Sequence, residues 1–301
     1  MLRRFIHSFV TTLVVLSVLG AGAVPLRRQS ISVLSQSQIS VFKPYTSYAS
    51  TAYCNAASTL TWSCGTNCLA NPTFKPVASG GDGDDVQFWY VGYDPTLKTV
   101  VVGHQGTNPS EIEPVITDAD FFLTTFDKQL FPNISTGIKV HDGFHDAQAK
   151  AAPLVLSAVQ TALKRYGGSS VTVVGHSLGA AISLIDAVYL PLHIPGISVR
   201  AVLYGLPRVG NQAFADYVDA HVPSLTHINN KKDPVPILPG RLLGFHHPSG
   251  EVHIDQSGKW IACAGQDNTN AECEIGDVPS VLESDLDDHS GPYDGISMGC
   301  S

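Results

Sequence analysis

A serine between two glycines is the feature of this sequence best suited to chemistry, since Ser177 lies in the run Gly175-His176-Ser177-Leu178-Gly179. The β-branched run 171–174 before it predicts a buried strand, and the run 180–187 after it predicts a helix. A tight turn between them would hold the hydroxyl at the carboxyl edge of a sheet and direct the first helical amides toward it. The pattern predicts a nucleophilic serine; the alternative is an ordinary strand-to-helix turn with a capping serine.

An activated serine needs a base, and the base needs a carboxylate that fixes its tautomer and supports its positive charge. In an α/β sheet both are expected after the serine, acid before base, on loops that follow later strands. Asp233 meets this expectation because it follows the predicted strand 225–228, and Pro234 and Pro236 would stiffen its loop. The alternative is an aspartate that only caps the loop.

Four histidines follow Asp233 in the chain, at positions 246, 247, 253 and 289. His253 alternates within a predicted strand, whereas His289 lies in a loop near the C-terminus. We therefore predict His289 as the base, with His246 or His247 as the alternatives.

The elements around these residues alternate between strands and helices. Predicted strands cover 86–93, 99–103, 171–174, 199–204 and 225–228, and predicted helices cover 145–166, 180–187 and 211–221. This alternation predicts an α/β fold with a mostly parallel sheet and right-handed crossovers. Residues 252–254 and 260–261 are predicted as late antiparallel strands, 39–53 as a helix, and 55–85 as loop and turn. No repeat or linker indicates a second domain, so 29–301 is expected to form a single one.

The 301-residue chain is 44% hydrophobic and 15% charged, which is typical of a globular protein with a large core. Residues 1–23 resemble a secretory signal peptide, with Arg3 and Arg4 before an apolar run over 9–19 and small residues at 21–23. The apolar run is shorter than the ~20 residues that span a bilayer. Residues 24–28, which end in two arginines, are predicted as a short pro-segment.

The charge balance is acidic once the predicted signal peptide is removed. Loss of residues 1–23 leaves 16 basic and 26 acidic side chains, a formal charge of −10. This balance argues against a nucleic acid or an anionic membrane as a partner held by electrostatics. We expect a secreted, extracellular monomer.

Six cysteines in an exported chain predict three disulfides, for which fifteen pairings exist. Proximity favours Cys64–Cys68 and Cys263–Cys273, which leaves Cys54 with Cys300. The last bridge closes the longest loop and could stabilise the fold by up to ~5 kcal/mol through chain entropy. A zinc site at the first pair is disfavoured because no further His or Cys pair follows at ligand spacing.

Two further motifs concern metals and glycans. His141 and His145 stand four residues apart, but Gly143 between them and the lack of a glutamate beside His141 argue against a metal site. We expect neither a metal nor a cofactor. Asn133 begins the only N-glycosylation sequon, Asn-Ile-Ser, so one glycan is expected there.

Six motifs in order resemble those of the fungal class 3 lipases, the filamentous-fungal triacylglycerol lipase family. They are Gly-Thr at 106–107, Val-His-Asp-Gly-Phe at 140–144, Val-Val-Gly-His-Ser-Leu-Gly at 173–179, Gly-Leu-Pro-Arg-Val-Gly-Asn at 205–211, Lys-Asp-Pro-Val-Pro at 232–236, and Asp-His with a following Tyr at 288–293. The match spans about residues 86–293. One departure is His104-Gln105, where the family usually has an arginine before the glycine.

The resemblance implies an α/β-hydrolase with Ser177 as nucleophile, Asp233 as acid and His289 as base. It also implies an oxyanion hole formed by the amides of Thr107 and Leu178, with the Thr107 hydroxyl assisting.

The family's lid corresponds to residues 108–117, which lack the usual tryptophan. Ile112, Val115 and Ile116 share one helical face there and could cover the site or contact a lipid–water interface. Because this apolar face is narrow, we expect modest interfacial activation and easier access for partial glycerides.

These observations predict a secreted serine ester hydrolase that acts on acylglycerols, with a preference for mono- and diacylglycerols. The family also includes feruloyl esterases, so an esterase acting on plant-wall esters is the first alternative. A secreted binding protein on an inactive hydrolase scaffold is the second, and the presence of all three triad residue types argues against it.

Overall fold

A computed structural model describes residues 30–108 and 121–301. Its strands are β1 Ile31–Val33, β2 Lys75–Gly80, β3 Trp89–Asp94, β4 Thr99–His104, β5 Leu123–Thr125, β6 Lys139–His141, β7 Ser170–His176, β8 Ser198–Tyr204, β9 Gly210–Asn211, β10 Leu225–Asn230, β11 Phe245–His246, β12 Glu251–Ile254 and β13 Trp260–Cys263. Within these residues, nine strands form one sheet in the order β1-β13-β12-β10-β8-β7-β4-β3-β2. The other four form a small antiparallel sheet in the order β11-β9-β6-β5.

The centre of the large sheet is parallel. Strands β4, β7, β8, β10 and β12 run in one direction, whereas β2, β3, β13 and β1 pair antiparallel at the two edges. The valine-rich strands β4 and β7 are buried almost throughout, as central parallel strands should be. The predicted α/β architecture is therefore confirmed.

One predicted pairing is wrong. Residues 252–254 were expected as an antiparallel addition, but β12 pairs parallel with β10 and antiparallel only with β13. The connection over 231–250 is long enough to carry the chain back to the start of the sheet, which a parallel pair requires.

Helices cover both faces of the sheet. They are α1 Gln36–Ser40, α2 Lys43–Thr51, α3 Ala56–Thr61, α4 Gly65–Leu69, α5 Asp142–Tyr166, α6 Leu178–His193, α7 Gln212–His221 and α8 Glu274–Asp277. Apolar residues of α5, α6 and α7 pack on one face of the sheet. Those of α2 pack on the other face, together with Tyr293 and Met298 from the C-terminal segment. A parallel sheet must be covered in this way because neither of its faces is polar.

The N-terminal elements differ from the sequence prediction. The helix predicted over 39–53 is divided into α1 and α2, and Pro44 lies in the first turn of α2, where its missing N–H breaks no helical hydrogen bond. The loop predicted over 55–85 is wrong, since α3, α4 and β2 lie there. These elements are too short to show periodicity. Helix α3 begins instead at a local cap, in which the Asn55 side chain accepts the N–H of Ser58.

Three disulfides join Cys54 to Cys300, Cys64 to Cys68 and Cys263 to Cys273, which are the three predicted pairs. Asn133 is exposed in a turn.

The predicted signal peptide 1–23, the pro-segment 24–28 and the lid residues Ile112, Val115 and Ile116 lie outside the described residues. None of the helices in the described part of the chain is long and apolar enough to cross a membrane.

Candidate active site

Ser177 occupies a strained turn between β7 and α6. Its backbone has φ 58° and ψ −129°, a conformation that a non-glycine residue rarely adopts. Gly175 and Gly179 permit it, because a Cβ atom on Gly175 would lie 2.2 Å from the Gly179 carbonyl oxygen, and one on Gly179 would lie 2.2 Å from that of His104. A side chain at either position would prevent the turn from closing. Strain of this kind at a strand-to-helix turn is typical of a serine nucleophile.

Asp233 and His289 form a buried pair. His289 Nδ1 lies 2.8 Å from Asp233 Oδ2, and both side chains are almost completely buried. The other carboxylate oxygen of Asp233 accepts the N–H of Val235 at 2.8 Å. With Nδ1 donating to the carboxylate, the second ring nitrogen of His289 is left with a lone pair that can accept a proton.

The second nitrogen of His289, Nε2, is buried and makes no hydrogen bond to any of the residues that the structure describes. The His289 ring lies against the turn, with its centroid 4.3 Å from that of His176, the residue before the serine. A buried nitrogen without a hydrogen-bond partner costs free energy and calls for an explanation. A role in proton transfer with a group at the turn would explain it.

Side-chain hydrogen bonds and an ion pair hold the segment around His289 in place from two directions. The Asn230 side chain donates to the Asp288 carbonyl oxygen at 2.8 Å, and Lys231 Nζ lies 3.1 Å from Asp288 Oδ1. On the other side, the Tyr293 hydroxyl donates to the His289 carbonyl oxygen at 3.0 Å. The loop that carries His289 is therefore fixed to the end of β10, three residues before Asp233.

The segment that follows β4 packs directly on the serine turn. A Cβ atom on Gly106 would lie 2.5 Å from the His176 carbonyl oxygen and 3.1 Å from Ser177 Cβ. Thr107 is half-buried next to this contact, and Leu178 is the first residue of α6. Helix-initial amides lack intrahelical partners. The segment that carries Thr107 and the first residue of α6 therefore meet at the serine turn.

His104 and Gln105, which depart from the family pattern, have structural partners. His104 Nε2 lies 2.8 Å from Asp186 Oδ2 on α6, and Gln148 of α5 donates to the other Asp186 oxygen at 2.8 Å. The Gln105 side chain accepts the N–H of Phe88 at 2.8 Å. Strand β4, which precedes Thr107, is thus tied to the helix that follows Ser177.

The alternative bases are engaged elsewhere. His246 Nδ1 lies 3.1 Å from Asp267 Oδ2, and His247 Nε2 contacts the Pro236 carbonyl oxygen at 2.7 Å. Burial lowers the pKa of His247 to about 3, which keeps it neutral. Of the three candidates, His289 is the one that the structure brings to Asp233.

The histidines considered as metal ligands also have structural contacts. His141 Nδ1 accepts the N–H of Phe144 and caps α5, and His145 Nε2 accepts the N–H of Asp127. Among the described residues, Glu251 has ligand spacing to Cys263 and Cys273. These two cysteines are joined in a disulfide and offer no thiolate to a metal.

Sequence reasoning did not assign Tyr53, Asp186 or Tyr293 to the site. Tyr293 could have been assigned, because it follows the Asp-His motif at a short distance. Tyr53 and Asp186 could not, because their partners His176 and His104 are 123 and 82 residues away in the chain.

A mostly parallel sheet covered on both faces, with a strained serine turn and an Asp–His pair on the loops beyond its strands, defines the α/β-hydrolase class. The family model for "Lipase (class 3)" matches residues 101–243. The secreted mono- and diacylglycerol lipase LIP2 of Malassezia restricta is 34% identical, with 71% of this chain and 67% of the relative covered. Secreted mono- and diacylglycerol lipase 3 of Gibberella zeae is 34% identical, with coverages of 73% and 70%.

The fold agrees with that of a solved triacylglycerol lipase described as having a serine protease triad as its catalytic centre. The TM-score is 0.78 at 28% identity, covering 90% of this chain and 100% of the other. The chain belongs to the class 3 lipase family and is a secreted serine ester hydrolase.

Proposed function

We propose that this enzyme hydrolyses acylglycerol esters with Ser177 as nucleophile, His289 as base and Asp233 as the orienting acid. The observation that carries the proposal is the buried Asp233–His289 pair, whose ring lies 4.3 Å from that of His176 in the strained serine turn. Its Nε2 has no hydrogen-bond partner among the residues that the structure describes. A base held in one tautomer beside a serine is what covalent ester hydrolysis requires.

In the first half of the reaction, Ser177 Oγ attacks the ester carbonyl carbon while its proton passes to His289 Nε2. The Asp233 carboxylate supports the imidazolium through Nδ1. The negative charge on the former carbonyl oxygen is stabilised by the amides of Thr107 and Leu178, with the Thr107 hydroxyl assisting. The tetrahedral intermediate collapses, and the leaving glycerol oxygen takes the proton from Nε2.

In the second half, water replaces the alcohol. His289 Nε2 takes a proton from that water as its oxygen attacks the acyl carbon, and the same amides stabilise the second oxyanion. Collapse of this intermediate breaks the bond to Ser177 Oγ, which recovers its proton from Nε2. A fatty acid leaves and the free serine is restored. The reaction as written uses neither a metal nor a redox cofactor.

We infer mono- and diacylglycerols as the preferred substrates. Both curated relatives described above are named for these partial glycerides. The solved structure is named for triacylglycerol, so family membership alone leaves both classes open. The narrow apolar face predicted for 108–117 favours the smaller substrates.

We place the working enzyme at a lipid–water interface. Leu242 and Leu282 are almost fully exposed. Leu242 lies on the connection that follows β10. Leu282 lies three residues before Asp285, whose N–H donates to the Lys232 carbonyl oxygen of the same connection at 2.7 Å. The segment that carries Leu282 therefore lies near the carboxyl end of β10, as Asp233 does. Exposed leucines beside an ester site can contact acyl chains.

The test is a substrate series with the secreted protein and its Ser177→Ala variant. We expect monoolein and diolein to be cleaved faster than triolein, with tributyrin cleaved faster above its solubility limit than below it, and methyl ferulate cleaved poorly. Ser177→Ala should be secreted normally but lose activity on all of them and fail to react with a fluorophosphonate. Activity of this variant close to wild type would refute the mechanism. Preferential cleavage of methyl ferulate would refute acylglycerols as the preferred substrates.

A further inference from the structure

His176, the residue before the nucleophile, contacts the base and not the solvent. Its side chain is buried, and its Nε2 lies 2.8 Å from the His289 carbonyl oxygen. Its Nδ1 lies 2.6 Å from the Tyr53 hydroxyl. Both ring nitrogens are therefore engaged with groups that the ester reaction described above does not use.

The direction of these hydrogen bonds is fixed by their chemistry. A carbonyl oxygen only accepts, so His176 Nε2 must carry the proton that it shares with His289. Burial, and to a lesser extent the nearby His289, lowers the pKa of His176 well below its ordinary value, so the ring is neutral. In a neutral ring with a proton on Nε2, Nδ1 is an acceptor, and the Tyr53 hydroxyl must donate to it.

Tyr53 also contacts the oxyanion segment. A Cβ atom on Gly106 would lie 2.3 Å from the Tyr53 hydroxyl oxygen, so the two groups are in direct contact. Burial raises the pKa of Tyr53, so the phenol keeps its proton. The hydroxyl therefore packs against the residue before Thr107 while it donates to His176.

We propose that Tyr53 and His176 are positioning residues, which form a chain of contacts from Gly106 to the His289 carbonyl oxygen. In this chain the Tyr53 hydroxyl packs on Gly106 and donates to His176, and His176 donates to His289. The proposal rests on the proposed function, because it assigns the two ends of this chain to the oxyanion hole and the base. Those two groups act on opposite sides of one tetrahedral carbon. The chain fixes the distance between them across the buried side of the serine turn.

The position of Tyr53 suits this role. It directly precedes Cys54, whose disulfide to Cys300 fixes it next to the C-terminal segment. That segment returns to the base, since the Met298 N–H donates to the Ser290 carbonyl oxygen at 2.9 Å. The Cys54–Cys300 disulfide thus anchors Tyr53 to the C-terminal segment by a covalent link that does not involve the sheet.

The test compares Tyr53→Phe with Tyr90→Phe. The Tyr90 hydroxyl is also buried and also donates to a main-chain oxygen, that of Tyr48 at 2.7 Å. The Tyr90 ring packs against Tyr48, Trp62 and Phe74, which lie outside the site. We expect both variants to lose similar amounts of thermal stability. Tyr53→Phe alone should lower kcat by about tenfold, because it removes the hydrogen bond to His176 that positions the reacting groups. KM should change by less than about twofold. The variant should still react completely, though more slowly, with a fluorophosphonate.

Two outcomes would overturn the proposal while the ester hydrolase mechanism stands. One is a Tyr53→Phe enzyme with kcat within about twofold of wild type; the other is an equal loss of kcat in Tyr90→Phe. A double-mutant cycle with His176→Gln tests the chain itself. If Tyr53 acts through His176, the double variant should be within about twofold of the slower single variant. Losses that multiply would show independent roles and contradict the chain. Failure of the proposed function would appear instead as activity retained in Ser177→Ala.

Discussion

At the scale of single residues, the site depends on positions where a side chain is missing. Gly205 follows β8 and has φ 52°. A Cβ atom there would lie 2.9 Å from His289 Cε1, 3.0 Å from His289 Nδ1 and 3.1 Å from Asp233 Oδ2. The glycine thus lets the chain pass directly beside the Asp–His hydrogen bond. A methyl group at this position must displace either the ring or the carboxylate.

We therefore predict that Gly205→Ala lowers kcat/KM by roughly 100-fold, the order expected when reacting groups are misplaced by about 1 Å. Gly167→Ala is the matched control, because Gly167 also has a positive φ, 71°, but a methyl group there would meet no atom of the described residues within 4 Å. Both variants should lose about 1–2 kcal/mol of stability from backbone strain. Steady-state kinetics and thermal unfolding of the pair separate the two effects. Equal kcat/KM values for the two variants would mean that the Asp–His pair tolerates the displacement.

At the scale of elements, the long central strands and helices could be predicted, whereas the connections between them could not. Strands β7 and β8 and helix α5 are indicated by β-branched runs or by helical periodicity over many residues. Helices α3 and α4 have no such pattern, since a local cap and a disulfide define them. The pairing of Asp233 with His289 was predictable from their chemistry and their order in the chain. The contacts of Tyr53, His176 and Asp186 were not, because tertiary packing alone brings these residues together.

The disulfides provide a prediction at the same scale. Cys54–Cys300 links residues 246 apart, and Cys64–Cys68 links residues 4 apart. Chain entropy assigns about 5 kcal/mol to the long loop and about 2 kcal/mol to the short one. Replacing Cys54 and Cys300 by alanine should therefore lower the free energy of unfolding by more than the same replacement of Cys64 and Cys68. Denaturant unfolding without reductant measures the difference, and equal losses would contradict the loop-length argument.

At the scale of the whole molecule, a buried ionisable cluster links the end of the sheet to the C-terminal segment. His253 of β12 contacts Glu274 of α8 at 3.0 Å and Asp277 at 3.3 Å, and Lys232, next to Asp233, lies 2.7 Å from Asp277. The Glu251 carboxylate accepts the N–H of Glu274 at 2.8 Å. Protonation of this cluster is therefore coupled to the packing of α8 against the connection that carries Asp233.

The cluster binds more protons in the folded state than in the unfolded chain. Burial raises the pKa of Glu274 to about 8 and that of Glu251 to about 7. For His253, burial lowers the pKa, but hydrogen bonds to Asp277 and Glu274 outweigh it and raise the pKa to about 9. All three folded-state values exceed the unfolded ones of 4.5 and 6.5. The stability that these groups contribute is therefore present at low pH and is lost as the pH rises through the folded-state values.

We predict that the free energy of unfolding falls between pH 6.5 and 9. The buried neutral histidines do not oppose this trend, because the pKa values of His227 and His247, lowered by burial to about 4 and about 3, affect stability only at more acid pH. Each extra proton held by the folded state corresponds to about 1.4 kcal/mol per pH unit, so the total loss should be on the order of 2 kcal/mol or more. Glu274→Gln should flatten the profile, since glutamine cannot ionise, whereas Glu272→Gln, at an exposed glutamate two residues away, should leave it unchanged. Thermal or denaturant unfolding across this range measures the slope, and a stability that rises with pH would show that the cluster is deprotonated in the native protein.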